Sequence, residues 1–473
     1  MTYTPEQVMK ISKGDAEIAS FITMLLAHIE KLEARVNELE RQLGSNSNNS
    51  SKPPSSDGLR KPKSLRQSGG KKGAPQGHNG HTFTMVDQPD EVIRHGVESC
   101  SHCSASLLEV APESHIRRQV VDLPLPRLVV TEHQSETKRC PCCGTKQQAS
   151  FPSGVAAPVQ YGEGWKAWTA YLSVYHGLSL ERIAQLFADM TGHRPSEATL
   201  LSQIDGTFSQ LEPLEKVIRQ KLEESELLHA DETGLRIENG LQWLHTVTNA
   251  EWTYYDVHEK RGKEAFHATG LLPGYTGILV HDCWASYFSG DYRFEHALCG
   301  AHLLRECQGI IDYDGHQWAT DLQALLREAW KQTKQARVDG IPVAPAMIAD
   351  LELRYDEILA RGTEEWTPPP EPEAPKKRGR KAKSKAANLA KRFLLHKPAV
   401  LRFLHDARVP FDNSQAERDI RMVKVKQKVS GAFRTTQGAD QFARIRGFIS
   451  TLRKQNRKVL DSLVLAARGD FFF

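Results

Sequence analysis

From residue 18 the apolar positions recur at alternating spacings of four and three: Ile18, Ile22, Leu25, Ile29, Leu32, Val36, Leu39 and Leu43. The positions between them carry Glu30, Lys31, Glu33, Arg35, Glu38, Glu40 and Arg41. A seam of that period stays aligned with a partner only if the helices wind around each other in a left-handed coiled coil. Residues 1–43 are therefore expected to form an oligomerisation helix, the alternative being a helix packed on its own globular domain. The period then vanishes. Residues 44–82 are dominated by Ser, Asn, Gly and Pro, a composition that cannot bury a core. A disordered linker is expected there, made basic by Arg60, Lys61, Lys63, Arg66, Lys71 and Lys72. It is either a tail that contacts phosphates or a solubilising spacer.

Short strand-like runs follow at 119–123 and 128–131. Helical periodicity then holds over 165–222. Leu180, Ile183, Ala184, Leu186 and Phe187 line one stripe, Thr191 to Pro195 break it, and Ser196 opens a second helix carrying Leu200, Leu201 and Ile204. Helix, glycine-bearing turn, helix is compatible with a helix-turn-helix and also with an ordinary helical packing unit. From residue 226 the text changes to strands, at 227–237, 241–248 and 252–257, with Asn239 and Gly240 as the turn of a hairpin. A helix-like stretch at 262–272 and a strand at 276–281 come next. Three consecutive hairpin strands, a helix and a strand predict the opening of a ribonuclease H-like core. The expected fold is thus a multidomain α+β chain: coiled coil (1–43), linker (44–82), zinc ribbon (83–150), helical helix-turn-helix-like domain (151–222), first part of a ribonuclease H-like α/β catalytic core (223–299), helical insertion with a disordered Pro/Lys-rich stretch (300–395), and the rest of the core with basic C-terminal helices (396–473).

Bulk charge adds little, since the net charge is only +4 over 473 residues. Its distribution adds more. Between Arg418 and Lys458 twelve Lys and Arg face two acids, Asp419 and Asp440. A second block around Arg378, Arg380 and Lys381 suits a DNA arm or a solvated tail. No run approaches the roughly 18 apolar residues of a membrane span. The N-terminus lacks the pattern of a secretory signal. A cytoplasmic, nucleoid-associated protein with no membrane partner is expected. In a reducing compartment tight cysteine pairs point to metal. Cys100 with Cys103, and Cys140 with Cys143, read as two knuckles holding one structural Zn²⁺, with Cys142 as an extra thiol.

Three acids stand out by their setting. Asp231 lies inside an apolar strand and Asp282 ends another, where a carboxylate is costly unless it is paired or binds a cation. The alternative is that each caps the following turn. Glu417 opens a helix behind Asn413 or Ser414, as a capping-box glutamate would. It also heads a stripe with Arg421, Lys424 and Lys428, which suits a metal ligand beside a DNA backbone. Hard cations such as Mg²⁺ or Mn²⁺ take oxygen ligands of this kind, two ions to a phosphoryl-transfer site.

The order of coiled coil, Ser-Lys-Pro-Pro-Ser-Ser-Asp (51–57), cysteine knuckles, His-Ala-Asp-Glu-Thr-Gly, His-Asp-Cys-Trp, Cys-Gly-Ala-His-Leu-Leu-Arg-Glu and Asn-Ser-Gln-Ala-Glu-Arg resembles the insertion-sequence-66 transposase family. The resemblance implies a DDE triad on Asp231, Asp282 and Glu417. It further implies binding to the terminal inverted repeats of a mobile element, 3′-end cleavage and strand transfer. It leaves open whether small helper proteins of the same element take part. Cys299, His302, Arg305 and Glu306 match the family's stretch after the second acid. His302 and Arg305 are expected near the active site or the DNA phosphates, and Cys299 in packing, because one Cys and one His make half a zinc site. His229 and His281 either support the neighbouring acids or are core histidines. The competing function is a catalytically inactive, transposase-derived DNA-binding protein.

Overall fold

The computed structural model describes residues 4–50, 57, 83–123, 126–238, 240–367 and 383–470. The chain divides into two compact units, residues 64–131 with 190–192, and the remainder. The stretch 83–150 expected as one zinc ribbon is thereby divided between them. Asn239 of the predicted hairpin turn, most of the basic linker, and Arg378, Arg380 and Lys381 lie outside the described residues.

The heptad segment is helical, as α1 (Pro5–Ile11) and α2 (Ala16–Gly44), the latter capped by Asp15, whose carboxylate accepts from the Glu17 and Ile18 amides. No residue of α2 is buried, and its seam of Ile18, Leu25, Ile29, Leu32, Val36, Leu39 and Leu43 is exposed. The segment after it departs from expectation. Residues 44–50 form a packed turn rather than disordered chain. Asn46 and Asn49 accept from local backbone amides, which is how such side chains build turns. Asn49 also donates to Asp312 and to the Tyr313 hydroxyl at 3.2 and 3.3 Å, and Arg41 pairs with Asp314 at 3.0 Å.

In the smaller unit, the Cys100 amide donates to Ala105 O and the Ser104 amide to Cys100 O, both at 2.9 Å. In the larger unit, between β1 (Thr137–Arg139) and β2 (Lys146–Gln148), the Cys140 amide donates to Thr145 O and the Gly144 amide to Cys140 O, again at 2.9 Å. The two knuckles share one hydrogen-bond pattern, with a left-handed residue after the second cysteine of each pair, Ser104 at φ +59° and Gly144 at φ +73°. The strands expected at 119–123 and 128–131 are not formed. Val120, Val129 and Val130 are exposed, so their alternation has no layer to pack on.

The helical region gives α3 (Glu163–Ala170), a π turn (Tyr171–Tyr175), α4 (Leu180–Thr191), α5 (Glu197–Gln210, capped by the Ser196 hydroxyl) and α6 (Glu212–Glu223). They are not the separate domain expected over 151–222. Ile204, Leu214, Ile218 and Leu222 share one hydrophobic core with Leu228, Leu244, Val247 and Phe448. The amphipathic stripe of α6 finds its apolar partner in the sheet that follows.

That sheet comprises β3 (Leu227–Ile237), β4 (Gly240–Thr248), β5 (Thr253–His258), β6 (Ile278–His281) and β7 (Glu295–Leu298), with α7 (Lys263–Thr269) before β6. Its order is β5-β4-β3-β6-β7. The hairpin strands are antiparallel, and β6 joins β3, and β7 joins β6, in parallel. Leu279 on β6 enters the first core, whereas Ile278 and Val280 enter a second one with Leu303, Trp318, Leu322, Tyr355 and Phe393. Both faces of β6 are therefore covered, as a parallel strand requires. The second core belongs to α8 (Gly300–Asp314), α9 (Gln317–Asp339), α10 (Pro345–Trp366), α11 (Lys385–Leu395) and α12 (Lys397–His405). The chain closes with α13 (Ser414–Ser430), α14 (Thr436–Lys454) and α15 (Val459–Arg468). Phe433, Phe442 and Phe448 are core residues.

Candidate functional site

The parallel register pairs Leu227 with Ile278, Leu228 with Leu279 and His229 with Val280. Asp231 and Asp282 each stand two residues further on. They occupy equivalent positions just past the β3–β6 ladder, whose strands lie roughly 4.8 Å apart, Asp231 remaining paired with Thr246 of β4. Burial and the neighbouring charges of Glu232, Asp282 and Glu417 raise the Asp231 carboxyl well above its usual range, while the Glu232 amide, donating at 2.9 Å, works against them. Asp282 is also raised, by burial first, against the lowering effect of Arg261. Its Oδ1 accepts from the Trp284 amide at 3.0 Å.

The third acid is delivered by the start of α13. Asn413 is buried and donates its side-chain amide to Ala230 O at 2.8 Å, and its Oδ1 lies 2.8 Å from His229 Nδ1. The oxygen must accept, so His229 carries its proton on Nδ1. The Gly300 amide donates to Phe411 O at 2.8 Å, and a Cβ at Gly300 would enter the Phe411 ring. These contacts tie the starts of α8 and α13 to the strand ends. Glu417 follows one turn later, its amide on Asn413 O at 3.1 Å. The capping-box alternative is corrected: Asn413 makes no side-chain cap, because its amide serves the sheet, and Glu417 lies one position too far along.

His302 Nδ1 and Arg305 Nη2 approach Glu417 Oε1 at 3.5 and 3.4 Å. Burial, then Arg305, holds His302 at about 3, so it is neutral at pH 7 and its contact is not an ion pair. On the basic stripe only Arg421 and Lys428 are exposed. Lys424 turns inward and donates to Gly234 O, so its expected place on the DNA face is corrected: the open carbonyl at the strand offers the ammonium a partner that helical period cannot reveal.

Glu232, Arg261 and Tyr287 were missed from the sequence. Glu232, beside Asp231, is buried and accepts from the Tyr287 hydroxyl and from Arg261 at 3.4 Å. Burial and Asp282 push it up to about 7. The same guanidinium reaches Asp282 Oδ2 at 3.3 Å and lies over the rings of Trp243 and Trp284, at 5.1 and 4.2 Å. Arg261 thus bridges two carboxylates while held by two indoles. His281 is wholly buried against His296, 2.9 Å between ring nitrogens. Outside the sheet, hydrogen bonds from Thr145 draw the Cys143 thiol down to about 7.

Residues 158–441, which contain the three acids, match the Transposase IS66 family; residues 98–144, which contain both cysteine pairs, match the zinc-finger binding domain of transposase IS66; residues 4–84 match a family of unknown function. Two uncharacterized proteins of Sinorhizobium fredii are similar to the chain. The protein y4qI is 26% identical over 281 residues, covering 54% of this chain and 49% of that protein. The protein y4hP is 22% identical over 296 residues, covering 57% and 50%. The chain spans about half the length of these curated relatives. No helix among the described residues is long and apolar enough to cross a membrane. Since the transposase match alone covers more than half of the chain, this protein belongs to the IS66 transposase family.

Proposed function

We propose that this transposase is catalytically competent, binding the terminal inverted repeats of its element and using Asp231, Asp282 and Glu417 to cut and rejoin DNA. The observation that carries the reading is the shared register of Asp231 and Asp282 on adjacent parallel strands, with Glu417 near enough to raise Asp231. The strand order, with an antiparallel hairpin trio joined to two parallel strands, supports a ribonuclease H-like core.

The donor set fits a hard divalent cation. The three carboxylates offer only oxygen, and on Asp231 and Asp282 burial outweighs every lowering contact, a cost that a cation removes. A pair of Mg²⁺ or Mn²⁺ ions, when bound, would lower the pKa of the attacking hydroxyl or water and offset charge on the leaving oxygen. The protein's own part is positioning. Arg261 and the Trp284 amide fix the two oxygens of Asp282. Asn413 and His229 hold α13 against β3. Arg305 aims Glu417, with His302 beside it. Exposed Arg421 and Lys428 are left to contact phosphates. Cys100, Cys103, Cys140 and Cys143 are the thiolate ligands of a structural Zn²⁺, a role that their matching knuckle turns support. The bare seam of α2 suits pairing with a second copy, which would bring two element ends together.

The test is cleavage of a labelled duplex carrying the terminal repeat, with Mg²⁺ or with chelator, by the wild type and Asp282→Asn. Metal-dependent nicking at the repeat end, lost in the variant while binding is kept or slightly tightened, is expected. Binding by the wild type without cleavage under any divalent cation would favour the inactive DNA-binding protein.

A further inference from the structure

Cys299 and His302 alone offer half a metal site, and the fold adds a third donor. Cys299, His302 and Glu417 each bring a ligand atom within 4.8 Å of the others, the one such trio of Cys, His, Asp and Glu among the described residues. The three come from the starts of two helices. Cys299 precedes α8, is 1% exposed, and its amide donates to His281 O at 3.0 Å. His302 lies one turn along the same helix. Glu417 comes from α13, and the Asn413 amide donates to Cys299 Sγ at 3.2 Å, tying the two helix starts together. His302 Nδ1 is buried and makes no hydrogen bond, Glu417 Oε1 lying 3.5 Å away. Such an orphan is rare in a well-packed interior and calls for something that would bond it.

We propose that Cys299, His302 and Glu417 form a binding site for a thiophilic divalent cation of the Zn²⁺ class, separate from the hard-cation centre but sharing Glu417 with it. A sulfur, nitrogen and oxygen set selects Zn²⁺ over Mg²⁺, which prefers oxygen alone. Three protein ligands leave a fourth position for water or a phosphate oxygen. On binding, the Cys299 S–H bond breaks, sulfur bonds the cation, and the proton passes to solvent. The neutral His302 offers the lone pair of Nδ1 and loses no proton from that atom. Arg305 now faces Glu417 Oε1, and the cation would displace it there. An ion so held draws Glu417 away from Asp231 and Asp282, so Zn²⁺ inhibits Mg²⁺-dependent cleavage. That kinetic consequence rests on the catalytic reading above, whereas the site itself does not.

The full chain, stripped and reloaded with Co²⁺, provides the test through its thiolate-to-cobalt absorption and bound-ion count. The wild type is expected to hold one more thiolate-bound ion than Cys299→Ser, the zinc-finger ion being present in both. His302→Gln should weaken the same ion, with circular dichroism confirming the fold of each variant. In cleavage, Cys299→Ser should raise the Zn²⁺ concentration for half-inhibition by roughly tenfold or more. Equal cobalt counts and spectra in the wild type and folded variants overturn the proposal. If neither variant folds, a single thiolate-bound ion in the wild type overturns it. An inactive enzyme that holds the extra ion would sink the catalytic reading and keep the site, and an active enzyme without the ion does the reverse.

Discussion

Replacing Glu232 by Gln removes a carboxyl whose side chain is 1% exposed and whose pKa is pushed from 4.5 to about 7, by burial first and then by Asp282. Between those values the folded chain binds this proton more tightly than the unfolded chain. The group's contribution to stability is therefore greatest below pH 4.5 and is lost as pH rises through about 7. At about 1.4 kcal/mol for each pKa unit, the whole span is worth about 3 kcal/mol, most of it between pH 5 and 8. Glutamine does not titrate, and it keeps an acceptor for Tyr287 and Arg261. The stability of Glu232→Gln relative to wild type should then improve by about 2–3 kcal/mol from pH 5 to pH 8. The buried histidines, His245 and His296 at about 4 and His281 and His302 at about 3, titrate alike in both proteins and cancel in the difference. Urea unfolding of both chains with chelator, at steps between these pH values, measures it. Parallel profiles would show that the Glu232 carboxyl is ionised as readily in the fold as outside it, and would refute the reasoning.

Arg261→Ala leaves Glu232 and Asp282 without their shared cation; a loss of about 2 kcal/mol is expected at pH 8 and less at pH 5, where Glu232 holds its proton. Equal losses at both pH values in the same urea assay would count against the bridge. Cys140→Ser should release one Zn²⁺ per chain by metal analysis, and an unchanged count would mean that the ligands lie elsewhere. Arg421→Ala and Lys428→Ala should each reduce the salt slope of DNA binding by about 1, whereas Lys424→Ala, whose ammonium sits on a carbonyl, should leave it unchanged. Equal slopes for all three would sink that distinction. Proline at both Leu32 and Leu39 should lower the mass in sedimentation; an unaltered mass would remove the coiled coil.

Legibility in this chain follows the kind of constraint each residue obeys. The run 227–237 reads as one strand because its apolar residues recur over enough length for the period to be seen, and β3 has those bounds. β7 has four residues, Glu295–Leu298, too few to reveal a period, and its character comes from pairing with β6. Residues 119–123 and 128–131 show the opposite failure, in which apolar text is present but no second layer covers it. Residues 44–50 look like linker by composition, yet Asn and Ser are also turn builders, and α8 supplies a surface for them.

The site divides along the same line. Asp231 and Asp282 are visible because they break a local rule, a carboxylate within or just past an apolar strand, and such conflicts single out candidates. Their supporting residues break none. Arg261 sits in Glu259-Lys260-Arg261-Gly262, which reads as a solvated turn, and only the fold brings it between Trp243 and Trp284. Asn413 passes for a helix cap until its amide is found on Ala230 O. Glu232 is hidden by its neighbour: once Asp231 accounts for the acidic pair, nothing local asks for a second role, although it is Glu232 that Tyr287 and Arg261 hold. A residue that violates its local environment announces a function by itself, whereas one that satisfies it can acquire a function only through a partner distant in sequence. The candidate acids, with His229, His302 and Arg305, could therefore be named from the sequence, whereas the contacts made by Glu232, Arg261 and Asn413 could not.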